Sequence, residues 1–342
     1  MNKAEKLYFE SLKLLGRQIK QSYKETFKIK LPKNYKQINK IVVCGMGGSQ
    51  LGVELVKHLF SNEIKVPIEQ IRDYNLPKFV DNQTLVFLIS YSGSPEEVIK
   101  IASEVKKRTN KIFVITTGGK LAKLAQKNKF PLYKFDAIYN PSKQPRTGTG
   151  YMIGSFLAVL KKLSKIQITT QEIIQFELIY EKIFKKYINS QKIKNLAKTM
   201  VNKILIIVTA EHLQGNAHIL ANQTQESAKQ MAIYFSLPEL NHHLLEGLTY
   251  PKLNMKNLQF LFFNSDKYHQ RNQKRFKVTQ DVFKKRGFKI KNIKFSGTKI
   301  EQSIAMLIIG SLLAYELSKI NKVDPNSIPW VDLFKKKLKN NY

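Results

Sequence analysis

The sequence predicts an α/β protein made of two doubly wound units, each a parallel sheet flanked by helices, with an N-terminal helix in front. Two observations carry this reading. Short runs rich in Val, Ile and Phe alternate with stretches of helical periodicity, and the alternation occurs twice, on either side of a helical region from Thr170 to Met200. A length of 342 residues also matches about two units of ordinary size, and 43% hydrophobic residues is a globular composition.

The elements follow in order. A first helix is expected over Lys3 to Phe27, with Leu7, Leu12, Leu14, Leu15 and Ile19 as its apolar positions and Pro32 closing the segment. Strands are expected at Lys40 to Cys44, Val66 to Arg72, Thr84 to Ser90, Lys111 to Thr116 and Pro131 to Phe135, with helices after the first, third and fourth. Asn140 to Gly150, holding Pro141, Pro145, Gly148 and Gly150, reads as a loop before an apolar helix from Tyr151 to Leu163. The second alternation places strands at Lys203 to Thr209, Leu258 to Phe263 and Phe288 to Ile293, and helices at Gln214 to Gln230, Lys267 to Arg286 and Lys299 to Ile320. These patterns divide the chain into an arm over 1–30, a first unit over 31–165 and a second over 166–342. No low-complexity linker separates the halves, so they are expected to pack together.

Composition narrows the function classes. The longest late apolar run, Ala305 to Leu313, is broken by Gly310 and Ser311 and is too short to span a bilayer, so it reads as a buried helix. The N-terminal region shows no secretory signal, which predicts a cytoplasmic chain with no membrane partner. Cys44 is the single cysteine and lies in a strand-like run, where it reads as a small buried hydrophobe. The histidines show no metal-ligand spacing, and the side chains of the adjacent pair His242 and His243 diverge on a helix or a strand. The formal charge of +33 invites a nucleic-acid reading, but only seven of the 58 basic residues are arginine. The lysines are scattered, and Lys106-Lys107-Arg108, Lys284-Lys285-Arg286 and Lys335-Lys336-Lys337 fall at helix ends or on helical faces. A nucleic-acid partner is not expected.

Ile41 to Gly52, Ile-Val-Val-Cys-Gly-Met-Gly-Gly-Ser-Gln-Leu-Gly, sets a glycine-rich turn between a strand and a helix, and Ile89-Ser90-Tyr91-Ser92-Gly93-Ser94 repeats the plan with hydroxyls. Backbone N–H groups at Gly47, Gly48 and Ser49 can close around an anion at the positive end of a helix, and Ser49, Ser90 and Ser92 add neutral donors. No lysine followed by serine or threonine closes the turn, so it is not a P-loop. Gly45, Gly47 and Gly48 fit a dinucleotide fingerprint only in part, because its third glycine position is Gln50, although Asp73 lies at the end of the next strand-like run. A hydroxyl-lined cradle suits a sugar phosphate better than a nucleotide.

The motifs Gly45-Met46-Gly47-Gly48-Ser49, Ser90-Tyr91-Ser92-Gly93, Gln144-Pro145-Arg146, Glu226-Ser227-Ala228-Lys229, Pro238-Glu239-Leu240-Asn241-His242 and Val323-Asp324-Pro325 together resemble the sugar isomerase (SIS) domain family, in its bifunctional phosphoglucose/phosphomannose isomerase branch. The resemblance covers nearly the whole chain. It implies two SIS-type units and the interconversion of aldose and ketose 6-phosphates through a cis-enediolate, without metal or cofactor. It also implies a homodimer with shared active sites.

By the same resemblance, Glu226 is the base that carries a proton between C2 and C1, His242 opens the sugar ring from the partner subunit, and Arg146 stabilises the enediolate. Lys335 falls where the family places a C-terminal active-site lysine. Each residue has a plainer reading. Glu226 can be a surface glutamate with Lys229 as an ion-pair neighbour, Arg146 a solvated loop residue, and Asn241 with one histidine a cap on a helix running toward Glu246. Two departures stand out. Pro95 replaces a phosphate-binding threonine, which removes roughly 1.5–3 kcal/mol of hydrogen bonding unless Ser94 substitutes. Ile219 and Ala221 replace an arginine and a lysine and are expected to strip positive charge from the neighbourhood of Glu226. Glu211, His212 and His218, in the same helix or its entry, are candidates to compensate for the two changes, but read more plainly as capping or exposed residues. The alternatives are an isomerase of another phosphosugar and a sugar-phosphate sensor that does not turn its ligand over. An aminotransferase is disfavoured, because no N-terminal cysteine is present.

Overall fold

Alternate residues of the first sheet point to two separate apolar layers. In the computed structural model, which describes residues 2–340, Ile41, Val43, Leu85, Phe87 and Phe113 face the large central core, and Val42, Cys44, Val86, Leu88 and Val114 face a smaller outer one. Such strands need cover on both sides, and the helices between them supply it.

The chain begins with α1 (Lys3–Lys13) and α2 (Leu15–Lys28). The single N-terminal helix expected from sequence is therefore two, divided at Leu14, because α1 packs on a late helix and α2 on the middle of the chain. Then follow β1 (Lys40–Gly45), α3 (Gly48–Leu59), β2 (Ile68–Ile71), β3 (Thr84–Ile89), α4 (Glu96–Glu104), β4 (Ile112–Thr116), α5 (Gly119–Lys127), β5 (Leu132–Lys134) and α6 (Thr149–Lys162). The strands form a parallel sheet in the order β2-β1-β3-β4-β5. Next come α7 (Thr170–Tyr187) and α8 (Gln191–Lys198), where one helical stretch was expected.

The second alternation is β6 (Ile204–Ala210), α9 (Gln214–Ala228), β7 (Ala232–Leu237), α10 (Leu244–Gly247), α11 (Asn254–Asn257), β8 (Leu258–Ser265), α12 (Gln270–Lys285), β9 (Ile290–Phe295), α13 (Lys299–Ile320) and α14 (Pro329–Asn340). Its parallel sheet runs β7-β6-β8-β9. The edge strand β7 was not expected from the sequence pattern.

Both sheets change direction beside their first strand, between β1 and β3 and between β6 and β8, which is where open α/β sheets leave a crevice at the carboxyl ends of their strands. Helices α6 and α13 form the centre. Gly150 and Gly154 of α6 let α2 cross in contact, since a Cβ would lie 2.7 Å from the Leu15 carbonyl oxygen at the first and 2.2 Å from that of Ile19 at the second. Helix α13 is long and apolar enough to cross a membrane, unlike the short run read from sequence, yet 83% of its apolar stretch is buried inside the protein. It is a core helix, packed on α7, α8 and α9. The halves also meet through α3 and α9.

Candidate active site

The crevice of the first sheet opens where β1 and β3 end side by side at Gly45 and Ile89. Gly47 takes φ +50° at the start of α3, a left-handed conformation that favours glycine. Gly48 is seated against the Arg146 loop, since a Cβ there would lie 3.2 Å from the Arg146 nitrogen. Ser49 Oγ accepts the Tyr91 N–H at 3.0 Å, and Ser90 Oγ accepts the Gly93 N–H at 3.0 Å. A hydroxyl that accepts from backbone keeps its own proton to donate. Ser92 and Ser94 are exposed at the rim, where the Ser94 hydroxyl donates to the Ser92 carbonyl at 3.4 Å. Pro95 precedes α4 in extended conformation.

Arg146 lies behind the cradle in a one-turn 3-10 helix, Pro145–Thr147, and its side chain is 0% exposed, so it is not the solvated loop residue of the plainer reading. All five of its N–H donors have acceptors. Nε donates to Ser227 Oγ at 3.0 Å, one terminal nitrogen to Gln144 Oε1 at 3.1 Å and Glu226 Oε2 at 3.0 Å, and the other to the carbonyls of Pro325 at 2.5 Å and Asn326 at 2.9 Å. A buried guanidinium is tolerated only when paired and hydrogen-bonded, and both conditions are met. Glu226, near the end of α9, has a side chain 32% exposed while that of its partner is sealed. That exposed part can meet a substrate.

The network extends across the chain. Tyr8 of α1 bonds Ser227 Oγ at 2.8 Å, and burial raises its phenol pKa, with Ser227 and Arg146 pulling the other way. Gln18 of α2 donates to the Tyr139 and Thr147 carbonyls, each at 2.9 Å, which braces the Arg146 loop. Gln223 joins the Arg146 carbonyl at 3.2 Å to Ser311 of α13 at 2.9 Å. Lys229, in left-handed conformation after α9, donates to the carbonyls of Glu226, Asp324 and Ser327 at 2.7, 2.7 and 2.8 Å. Desolvation lowers its ammonium to about 8, the Arg146 charge acts the same way, and Asp324 and Glu226 oppose them.

Residues 34–147 match the SIS domain, and residues 189–338 match the bacterial phospho-glucose isomerase C-terminal SIS domain. The bifunctional phosphoglucose/phosphomannose isomerase of Caldicellulosiruptor bescii is 30% identical over 341 residues, covering 96% of this chain and 98% of that protein. The chain belongs to the bifunctional phosphoglucose/phosphomannose isomerase family. The enzyme of the same name from Thermoplasma volcanium is 28% identical, covering 91% of this chain and 95% of its own. In fold, the chain resembles the C-terminal domain of glucosamine-fructose-6-phosphate aminotransferase from Francisella tularensis, with a TM-score of 0.70 at 15% identity and coverage of 96% and 98%.

Three motifs of this phosphoglucose/phosphomannose isomerase family chain, holding Arg146, Glu226 and Pro325, meet in one cluster. His242 and Lys335 do not join it within the chain. His242 is exposed on the 3-10 turn Glu239–His242, and Lys335 is exposed on α14. Asn241 caps no helix; its amide donates to Thr279 Oγ1 at 2.8 Å. The expected loss of charge at Ile219 and Ala221 is corrected by burial: they are 1% and 2% exposed and sit in the apolar core, not in the cleft beside Glu226. His212 is also not exposed but buried, and His218 pairs across the helix interface with Glu54. Tyr8 and Gln18 escaped the sequence reading, since nothing local in an amphipathic helix marks a partner more than a hundred residues away.

Proposed function

We propose that this chain interconverts glucose 6-phosphate, and mannose 6-phosphate, with fructose 6-phosphate through a cis-enediolate, by proton transfers that call for neither metal nor cofactor. The observation that carries this reading is the partly exposed Glu226 side chain, held by a sealed arginine whose loop lies against the proposed anion cradle. The phosphate sits on the N–H groups of Gly47, Gly48 and Ser49, the last now shared with the Met46 carbonyl at 3.2 Å, with the hydroxyls of Ser90 and Ser92, and Ser94 stands in for the missing threonine.

Glu226 takes the C2 proton of the open-chain aldose. The C2–H electrons form the C1–C2 double bond and negative charge collects on O1. The carbon-bound proton then returns to C1 while the O2 hydroxyl proton passes to O1, leaving a carbonyl at C2 and a hydroxyl at C1, so no proton is gained or lost overall. Arg146 contributes the field of its charge, because its N–H groups are engaged by protein acceptors. His242 opens the ring from the partner subunit of a homodimer, and Lys335 contacts the sugar. The chain is read as an arm over 1–30, a first SIS domain over 31–165 and a second over 166–342, acting in the cytoplasm.

The second reading is a sensor that binds without turnover, and the full engagement of Arg146 favours it. Proton NMR of the three sugar phosphates in deuterated buffer separates the two. Isomerisation with deuterium entering at C1 and C2, abolished in a folded Glu226→Gln variant, is the expected result. Exchange retained in Glu226→Gln overturns the base, and thermal stabilisation by ligand without any exchange in the wild type replaces the isomerase with the sensor.

A further inference from the structure

The helix that begins at the cradle and the helix that ends at Glu226 touch at a second place, which the proposed chemistry does not use. Helices α3 and α9 run antiparallel. At one end Gly48 lies against the Arg146 loop and Arg146 holds Glu226; at the other, Gly215 is so close to α3 that a Cβ would lie 2.6 Å from the Leu55 Cα. There Glu54, buried in α3, places Oε2 2.7 Å from His218 Nδ1 of α9 and 2.5 Å from an Arg72 terminal nitrogen just beyond β2. The His218 ring stacks on Tyr234 of β7 with centroids 4.9 Å apart and planes at 25°. His58 stands one turn along α3, near enough for its charge to be felt by the same carboxylate. Burial pushes the Glu54 carboxyl up, and the His218 hydrogen bond with the nearby His218, Arg72 and His58 charges brings it below the ordinary value. The carboxylate is thus kept ionised in a helix interface, a costly place for a charge.

His218 stands eight residues, roughly 12 Å, before Glu226, too far to touch the carbons that react. It does lie on the rigid element that delivers the base, and Glu54 lies on the one that delivers the phosphate. We propose that Glu54 and His218 are a positioning pair that fixes the separation of the phosphate cradle from the Glu226 carboxylate, so that a sugar phosphate reaches both at once. Arg146 fixes one end of the α3–α9 pair and this bond fixes the other. Without it the packed helices keep their apolar contacts but lose the directional bond that fixes their relative register, and an error of an ångström is costly to turnover.

This inference rests on the proposed reading of the cradle and of Glu226, and its test separates the two. Inorganic phosphate uses the cradle alone, whereas fructose 6-phosphate spans cradle and base. Binding of both and the rate constants of isomerisation are measured for the wild type, for His218→Phe, which keeps the ring on Tyr234 and loses the bond, for Glu54→Gln, and for the double variant. Either single change is expected to leave inorganic phosphate binding as it is. Affinity for fructose 6-phosphate and kcat should each fall by about tenfold, the size of one charge-assisted hydrogen bond. The double variant should lose no more than one single variant, because the two act as a unit. His218→Asn, whose amide nitrogen reaches near the place of Nδ1, should restore most of the loss. Parallel weakening of both ligands, additive losses, or wild-type constants in a folded His218→Phe overturn the pair. A wild type that turns over none of the three sugars sinks the isomerase reading instead, and the ratio of the two binding constants then still decides whether the pair positions the site.

Discussion

Arg146 shows how one side chain can hold a site together by being fully used. Its five donors tie the loop after β5, the end of α9 and the turn before α14 to one planar group, which lysine cannot replace. Arg146→Lys is therefore expected to lower stability by about 3 kcal/mol, the lower end for breaking a buried pair, and turnover by about 100-fold. Urea unfolding and rate measurements check both, and a variant within twofold of wild-type turnover contradicts the role given to Arg146. His212 is a second buried residue with a measurable signature. It is 2% exposed, and its Nδ1 has no partner among the described residues. Burial lowers its pKa to about 4, with the Gln302 hydrogen bond opposing. In the unfolded chain it takes up a proton near pH 6.5, and in the folded one only near 4. Between those values the unfolded state binds more protons, so stability falls as the pH falls. From pH 7 to pH 5 the loss from this group is about 2 kcal/mol, and His212→Leu should remove that part of the slope in urea unfolding at the two pH values. Cys44 is the opposite case, a thiol raised to about 12 by burial alone, in keeping with a small core hydrophobe.

At the scale of elements, the two crevices are built alike and finished differently. After β1 the left-handed position is Gly47, at φ +50°, and after β6 it is Glu211, at φ +46°. Glycine leaves the first crevice open. The Glu211 carboxylate reaches across the second to the start of α12, where it accepts the His269 N–H at 2.8 Å and the Asn272 amide at 2.7 Å. A side chain of the protein thus occupies the His269 N–H and the Asn272 side-chain amide at the positive end of α12, where an anion would otherwise be favoured. One fructose 6-phosphate per chain is the expected stoichiometry in a calorimetric titration, and two per chain contradict the closure of the second crevice. The element boundaries also show why the sequence reading missed what it did. Helical periodicity runs on through Leu14 and through Ile188 to Ser190; the break at Leu14 parts a helix packed on α13 from one packed on α6 and α7, whereas α7 and α8 both pack on α13 and nothing local marks the break between them. In β7, Ala232 and Leu237 are buried but the four residues between them are not, so the strand gives no clean alternation.

At the scale of the whole molecule, Arg146 of the first half holds Glu226 of the second at 3.0 Å, and in the proposed reading the cradle from the first half and Glu226 from the second serve one site. His242 and Lys335 lie outside that cluster, and Trp330 and Phe334 of α14 are 80% and 63% exposed. A shared site in a symmetric dimer makes a sharp prediction. Glu226→Gln and His242→Gln variants, each inactive, are mixed and allowed to exchange subunits. Half of the dimers become mixed, each with one intact site and one doubly damaged site, so about a quarter of wild-type activity returns. No recovery among verified mixed dimers places His242 outside the partner's site.

Fold and core were legible in the sequence because periodicity and turn residues are local, and β1, β3, β4 and α13 announce themselves by composition alone. The glycine-rich turn at Gly47 was legible for the same reason, whereas Arg146 and Glu226 were singled out only by the resemblance of their short motifs to the family, since each taken alone reads as an ordinary surface residue. The tertiary structure alone decided which of them meet. It put Tyr8 on Ser227 across 219 residues, buried Ile219 and Ala221 where missing charge was expected, and set Glu54 against His218. Such contacts depend on how helices cross, and that is fixed by packing between distant segments, which no window of sequence contains.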